Sequence, residues 1–181
     1  MGKNWSAEQC MDCGNLVYYG GKCDCKVDLE TDLEIARAEA ENHIDAYYKQ
    51  GMEIKDLFEH IWFASTEILN GLEVQVVIDS NDAIHISSGS AGYVDFQIDP
   101  VGMKLPIKCW IHTHPFGSAY FSGTDIRTVS IWQPLMKSAY VLGGDGHYGS
   151  WSQKEPYLLD IYRNHEYERT QVWVRKGDEE E

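Results

Sequence analysis

The sequence contains no run of about 18 apolar residues, so no segment is suited to crossing a bilayer as a helix. Its N-terminus also lacks a basic stretch followed by an apolar one, the layout of a secretion signal. These two absences predict a soluble, intracellular protein placed in the cytoplasm. Basic residues are scarce as well: 15 Lys and Arg stand against 29 Asp and Glu, for a net charge of -14. Such a chain repels phosphate backbones and anionic head groups unless cations cluster locally, and no cluster occurs. Nucleic acid and membrane are therefore excluded as expected partners. Internal repeats are missing, and the one biased stretch, the acidic tail over 177–181, reads as solvated.

What is present suffices for a folded core. Hydrophobic residues make up 43% of the chain and aromatics 12%, which argues against general disorder. The 181 residues suit one domain plus a small appendage. Residues 1–28, rich in Cys and Gly, form a separate module, and 29–52 a helical connector in which Leu33, Ala36, Ala40, Ile44 and Tyr47 recur at helical spacing. The main domain spans 53–176. It opens with a second helical pattern to about Leu69 and then changes period. Strands are predicted over 72–79, 83–87, 92–99 and 105–112, the last ending at His112, with Val94, Phe96 and Ile98 on one face of the third. A helix over 122–133 follows. A hairpin joins 138–142 to 147–151 across Gly143 to Gly146, and extended segments cover 157–162 and 171–174. Strands interleaved with helices imply an α/β or α+β layer architecture, with ligand chemistry favoured where a strand hands over to a helix.

That handover falls at His112-Thr113-His114-Pro115. Residues two apart on extended backbone project to the same side, so both imidazoles can face one ion. A catalytic zinc takes three protein ligands and leaves a position open. Asp125, at the start of the predicted helix, can swing a carboxylate back towards the histidines as the third. Cys109 belongs to the buried alternation and reads as core. His43, His60, His85, His147 and His165 have no partner at metal-binding spacing. Tyr120 and Phe121 fit either a substrate groove or a plug beneath the loop.

His-x-His-Pro followed after six residues by Ser-x-x-Asp resembles the signature of the JAMM (JAB/MPN+) zinc metalloproteases, and the run from His112 to Ile126 is locally similar to the AMSH-type ubiquitin isopeptidases. The resemblance implies a cytidine-deaminase-like mixed sheet flanked by helices, and a hydrolase cleaving an amide at the C-terminus of ubiquitin or a ubiquitin-like protein. It also implies a glutamate base upstream. Glu73 follows Gly71-Leu72 in the family's Gly-x-Glu manner and is preferred to Glu67, although Gln75 and Val76 stand where the family usually has a Gly. Ser122 would stabilise the oxyanion, or cap the helix, or both. Two other readings stay open: a catalytically silent scaffold that binds partners through its N-terminal module, and a peptidase of the same type with a substrate unlike ubiquitin. The short connections after Asp125 differ from the longer insertion of AMSH-type enzymes.

Cys10-Met11-Asp12-Cys13 and Cys23-Asp24-Cys25 offer four thiolates, a set suited to a structural zinc in a ribbon or knuckle. Disulfides are disfavoured by the absent secretion signal. Zinc is thus expected twice, once catalytic and once structural. The acidic surroundings point to a protein partner for the module.

Overall fold

The structure is a computed structural model, described over residues 7–9, 16–18, 25–96, 102–156, 158–163 and 166–171. Two short antiparallel strands, β1 (Ala7–Gln9) and β2 (Leu16–Tyr18), bracket the segment holding Cys10 and Cys13. Cys10, Cys13 and Cys23 lie outside the described residues. Helix α1 (Cys25–Tyr48) starts at Cys25, whose side chain is likewise outside them, and so spans the junction at 28/29.

Good helix formers such as Glu, Ala and Arg dominate the middle of α1. Ala36, Ala40, Ile44 and Tyr47 form its inner stripe, with Ile44 wholly buried, a burial that contributes roughly 1.5–3 kcal/mol. Gly51, at φ +79°, ends the connection in a conformation that costs glycine little. Helix α2 (Leu57–Phe63) buries Leu57, Phe58 and Ile61 in the same cluster. It runs into a π-helical turn over Ala64–Ile68, where Leu69 N–H reaches the Ala64 carbonyl. The second helical pattern therefore begins later than Glu53 and changes hydrogen-bond period inside. This shift lets the buried Ser65 face the sheet.

The main sheet has seven strands in the order β4-β3-β5-β6-β7-β8-β9, built from β3 (Val74–Ile78), β4 (Ile84–Ser88), β5 (Cys109–His114), β6 (Ser138–Gly143), β7 (His147–Ser152), β8 (Leu158–Arg163) and β9 (Glu166–Gln171). Only β5 and β6 pair in parallel, and helix α3 (Gly123–Trp132) makes the crossover between them. The mixed α/β architecture expected from the sequence is therefore present. Among the described residues no helix is long and apolar enough to cross a membrane.

Helices cover both faces of the sheet centre, which explains why every residue of β3 is buried. Val74, Val76, Ile78, Cys109 and Ile111 pack under α1 and α2, while Val77, Trp110 and Val141 pack against Val129 of α3. Cys109 is thus core, as its alternation suggested.

Two strand expectations change. Residues 92–96 form no ladder: Tyr93 makes an isolated bridge to Ser90, Val94 is buried, and Phe96 packs edge-to-face on Trp110. The alternation there reflects packing onto the core rather than pairing, and Ile98 lies outside the described residues. The strand predicted over 105–112 starts later and ends later. Pro106 has no N–H to donate, Ile107 makes only a single bridge to Met136, and the ladder with β3 begins at Cys109. Pairing with β6 then carries β5 on to His114. Beyond Gln171 the expected last segment is outside the described residues, and β9 precedes it.

Candidate metal centre

Period-two alternation along β5 separates structure from chemistry. Cys109, Ile111 and Thr113 turn to the α1/α2 side, and Trp110, His112 and His114 to the α3 side. On β3 the register Gln75↔His112, continued one step along the same face, sets Glu73 level with His114. Helix α3 begins where β5 ends, and its first turn carries Asp125.

His112, His114 and Asp125 converge, their ligand atoms all within 4.8 Å of one another, the only such group among the described residues. His112 Nε2 lies 3.3 Å from Asp125 Oδ1, and His114 Nε2 lies 3.6 Å from Asp125 Oδ2. Both ring nitrogens of His112 are buried without a hydrogen-bond partner. Two unsatisfied buried nitrogens are costly, and coordination of an ion by one of them would relieve part of that cost. At His114, Nδ1 is 3.3 Å from the Ser118 carbonyl oxygen. In the tautomer that donates Nδ1–H to that carbonyl, the Nε2 lone pair faces the group. Two imidazoles and a carboxylate suit a divalent metal ion, and these three residues could hold one.

Electrostatics agree with this donor set. Burial, together with His112 nearby, pushes the His114 pKa down and favours its neutral form. Burial works against ionising Asp125, but the approach of His112 and the bonds from Ser122 outweigh it and hold its carboxyl below the usual range. Ser122 is the N-cap of α3 in a reciprocal capping box: its Oγ accepts from Asp125 N–H at 3.2 Å, and its own N–H donates to Asp125 Oδ2 at 2.7 Å. The cap thereby aims the carboxylate at the histidines. Because Oγ serves the cap as an acceptor, its hydroxyl proton is left to donate elsewhere.

Glu73 is buried and lines the same cleft. Burial raises its pKa, Asp125 adds to the rise, and His112 and the Val94 N–H oppose it. Glu67 is exposed on the π-helical turn and does not line the cleft. The backbone of Glu73 is fixed by exchange with the next loop, its N–H donating to Ser90 and its carbonyl accepting from Gly89. Val74 N–H donates to Thr113 Oγ1, which also bonds Ser65 Oγ at 3.0 Å. That π-turn serine ties the start of β3 to the strand bearing the histidines.

Sequence reasoning assigns no site role to Gln75 or Trp110. The Trp110 indole stacks on the His112 ring at 4.5 Å and 14°, and its N–H donates to buried Gln75 Oε1 at 3.1 Å. A lone Gln in the apolar run Val-Gln-Val-Val-Ile is the one signal that points to it. Of the two aromatics before Ser122, Phe121 is buried in the α3-side cluster whereas Tyr120 is exposed and lines the cleft. The cleft has a volume of about 530 Å³. No family model, curated protein or solved structure matches this chain.

Proposed function

We propose that the chain is a zinc-dependent amide hydrolase of the JAMM type, a peptidase or isopeptidase. The supporting observation is the convergence of His112, His114 and Asp125, with His112 left unpartnered, beside the buried carboxyl of Glu73. A divalent ion at such a site polarises a carbonyl and lowers the pKa of water. Glu73 is the residue that takes a proton from the attacking water at its carboxylate and returns it to the leaving amine. Ser122 directs its free hydroxyl proton at the oxyanion that develops on the carbonyl. Ligation of an ion needs neutral imidazoles, which burial favours at His114, and an ionised carboxylate, which its bonds favour at Asp125.

The likeness of residues 112–126 to AMSH-type enzymes extends the proposal to substrates: an amide at the C-terminus of ubiquitin or a ubiquitin-like protein. The Cys10, Cys13, Cys23 and Cys25 set holds a second, structural zinc in a module that binds a protein partner.

Incubation with linkage-defined chains, ubiquitin-like fusions and unrelated peptides, with and without chelator, tests the activity. Chelator-sensitive cleavage is expected, together with two zinc ions per chain by metal analysis, one of them lost in His112→Ala. A protein with a single zinc, indifferent to substitution of His112 and His114, is instead the scaffold.

A further inference from the structure

His114 is oriented by the loop that follows it. Residues 115–122 lead from β5 to α3, and their first turn closes where Gly117 N–H donates to the His114 carbonyl at 3.0 Å. The Ser118 carbonyl oxygen accepts from Tyr120 N–H at 2.9 Å and lies 3.3 Å from His114 Nδ1. A carbonyl oxygen has two lone pairs, so it can serve both donors. Its place beside the ring therefore decides which nitrogen of His114 carries the proton.

What seats the loop there is the end of β6. Parallel pairing sets His112 beside Val141 and His114 beside Gly143, so a side chain at 143 would project on the face that carries the histidines. There is no room for one. A Cβ on Gly143 would stand 2.2 Å from the Ala119 nitrogen and 2.6 Å from the Ser118 carbonyl carbon, and one on Gly144 2.7 Å from the Pro115 oxygen. All three are well inside the roughly 3.5–4.0 Å of ordinary contact. Gly144 N–H also donates to the Gly117 carbonyl at 2.8 Å. Loop and strand end thus meet backbone to backbone from Pro115 to Ala119. Neither glycine has a positive φ, so conformation does not call for glycine at these positions; the missing side chain does. Gly146 in the same hairpin is the reverse case, with φ at +77° and nothing within 4 Å of where its Cβ would be.

We propose that Gly143 and Gly144 are positioning residues for His114: their missing side chains let the loop settle on β6, so that the Ser118 carbonyl takes Nδ1–H and Nε2 is left free to hold a metal ion. The proposal rests on reading His112, His114 and Asp125 as a metal centre, not on any reaction an ion would support there. A methyl group added at either glycine lifts the loop, draws the Ser118 carbonyl off the ring and releases the choice of tautomer. Outer partners of ligating histidines commonly govern metal affinity by about 10- to 100-fold.

Imidazole nitrogen NMR spectra of the full chain test this, recorded first without metal and then through a zinc titration, at about pH 8 where ordinary histidines are neutral. The His114 signals are those lost in His114→Gln. Metal-free wild type should show His114 with its proton on Nδ1, and its Nε2 signal should move as zinc is added, which reads this centre apart from any thiolate site. Gly143→Ala and Gly144→Ala should each show a mixture of the two tautomers, and the zinc affinity read at His114 should fall by about 10- to 100-fold. Gly144 is exposed, and its variant carries the test should Gly143→Ala fail to fold. Gly146→Ala, strained but clear of the loop, should lower the melting temperature and leave tautomer and affinity as in wild type. A proton on Nε2 in metal-free wild type, an unmoved tautomer in Gly144→Ala, or equal losses in Gly146→Ala overturns the proposal. A tautomer fixed in wild type and loosened in the two glycine variants, with no response to zinc in any of them, instead sinks the metal reading and leaves the positioning of the ring standing.

Discussion

Two buried carboxylates stand just outside opposite ends of the same strand, Glu73 before β3 and Asp79 after it, 7% and 1% exposed. Asp79 is fully answered. Its Oδ1 accepts from the N–H groups of Asn81 and Ala83 at 2.7 and 2.9 Å, and its Oδ2 from Lys104 N–H at 2.9 Å. Despite its burial, these bonds keep its pKa low. Glu73 has one backbone donor, Val94, and burial drives its pKa up. Both side chains are buried, but one closes a turn with three backbone donors and the other has a single one. Burial alone does not mark a functional carboxylate; burial with too few donors does.

The comparison breaks most visibly at Glu73. Glu73→Gln preserves shape and removes the proposed base, so kcat for amide cleavage should fall by about 10²- to 10⁴-fold while zinc content and thermal stability hold. A melting temperature that drops with the activity would mean that Glu73 is structural in the manner of Asp79. Ser122→Ala, assayed beside Ser122→Asp, separates the hydroxyl from the cap. Asp restores an N-cap acceptor but has no proton to donate, so both variants should lose about 10²-fold or more in kcat, and only Ala should lose about 1 kcal/mol of stability.

A smaller effect is expected one residue into β3. Gln75→Leu removes the acceptor that fixes the Trp110 indole, and through it the plane of the His112 ring. Outer partners of metal ligands commonly govern affinity by about 10- to 100-fold, and a zinc competition titration should read a loss of that size. Gln75→Glu, which keeps an acceptor, should recover most of it. Unchanged zinc affinity in Gln75→Leu would confine this contact to packing.

The candidate metal centre is the more legible half of this contrast in the amino-acid sequence. His112 and His114 announce themselves by spacing at the end of an alternating strand, and Asp125 by its place at a helix start after Ser122. The layered α/β order follows from changes in hydrophobic period. The Gly92–Asp99 alternation misleads because Val94 and Phe96 face the core without a pairing strand, and periodicity reports burial rather than hydrogen bonding. The π-helical turn at Ala64–Ile68 leaves no signature, since its extra residue is set by tertiary contacts of Ser65 and Thr113. Asp79 carries no mark for a similar reason: two of its donors, Asn81 and Ala83, are local, but Lys104 arrives from 25 residues away.

Asp79 supplies the mildest test. Its folded pKa lies below the ordinary carboxylate value of 3.8. The folded state therefore binds fewer protons than the unfolded chain in that range. The stability this contributes is complete above about pH 4 and is lost as pH falls through the folded value. Wild-type melting temperature should decline with acid below about pH 4, and Asp79→Asn, with no proton to take up there, should melt lower at neutral pH but decline less steeply. Parallel acid profiles for the two proteins would show that the carboxylate's charge is irrelevant to the Asn81–Ala83 turn. The contrast with Glu73 would then rest on the candidate metal centre alone.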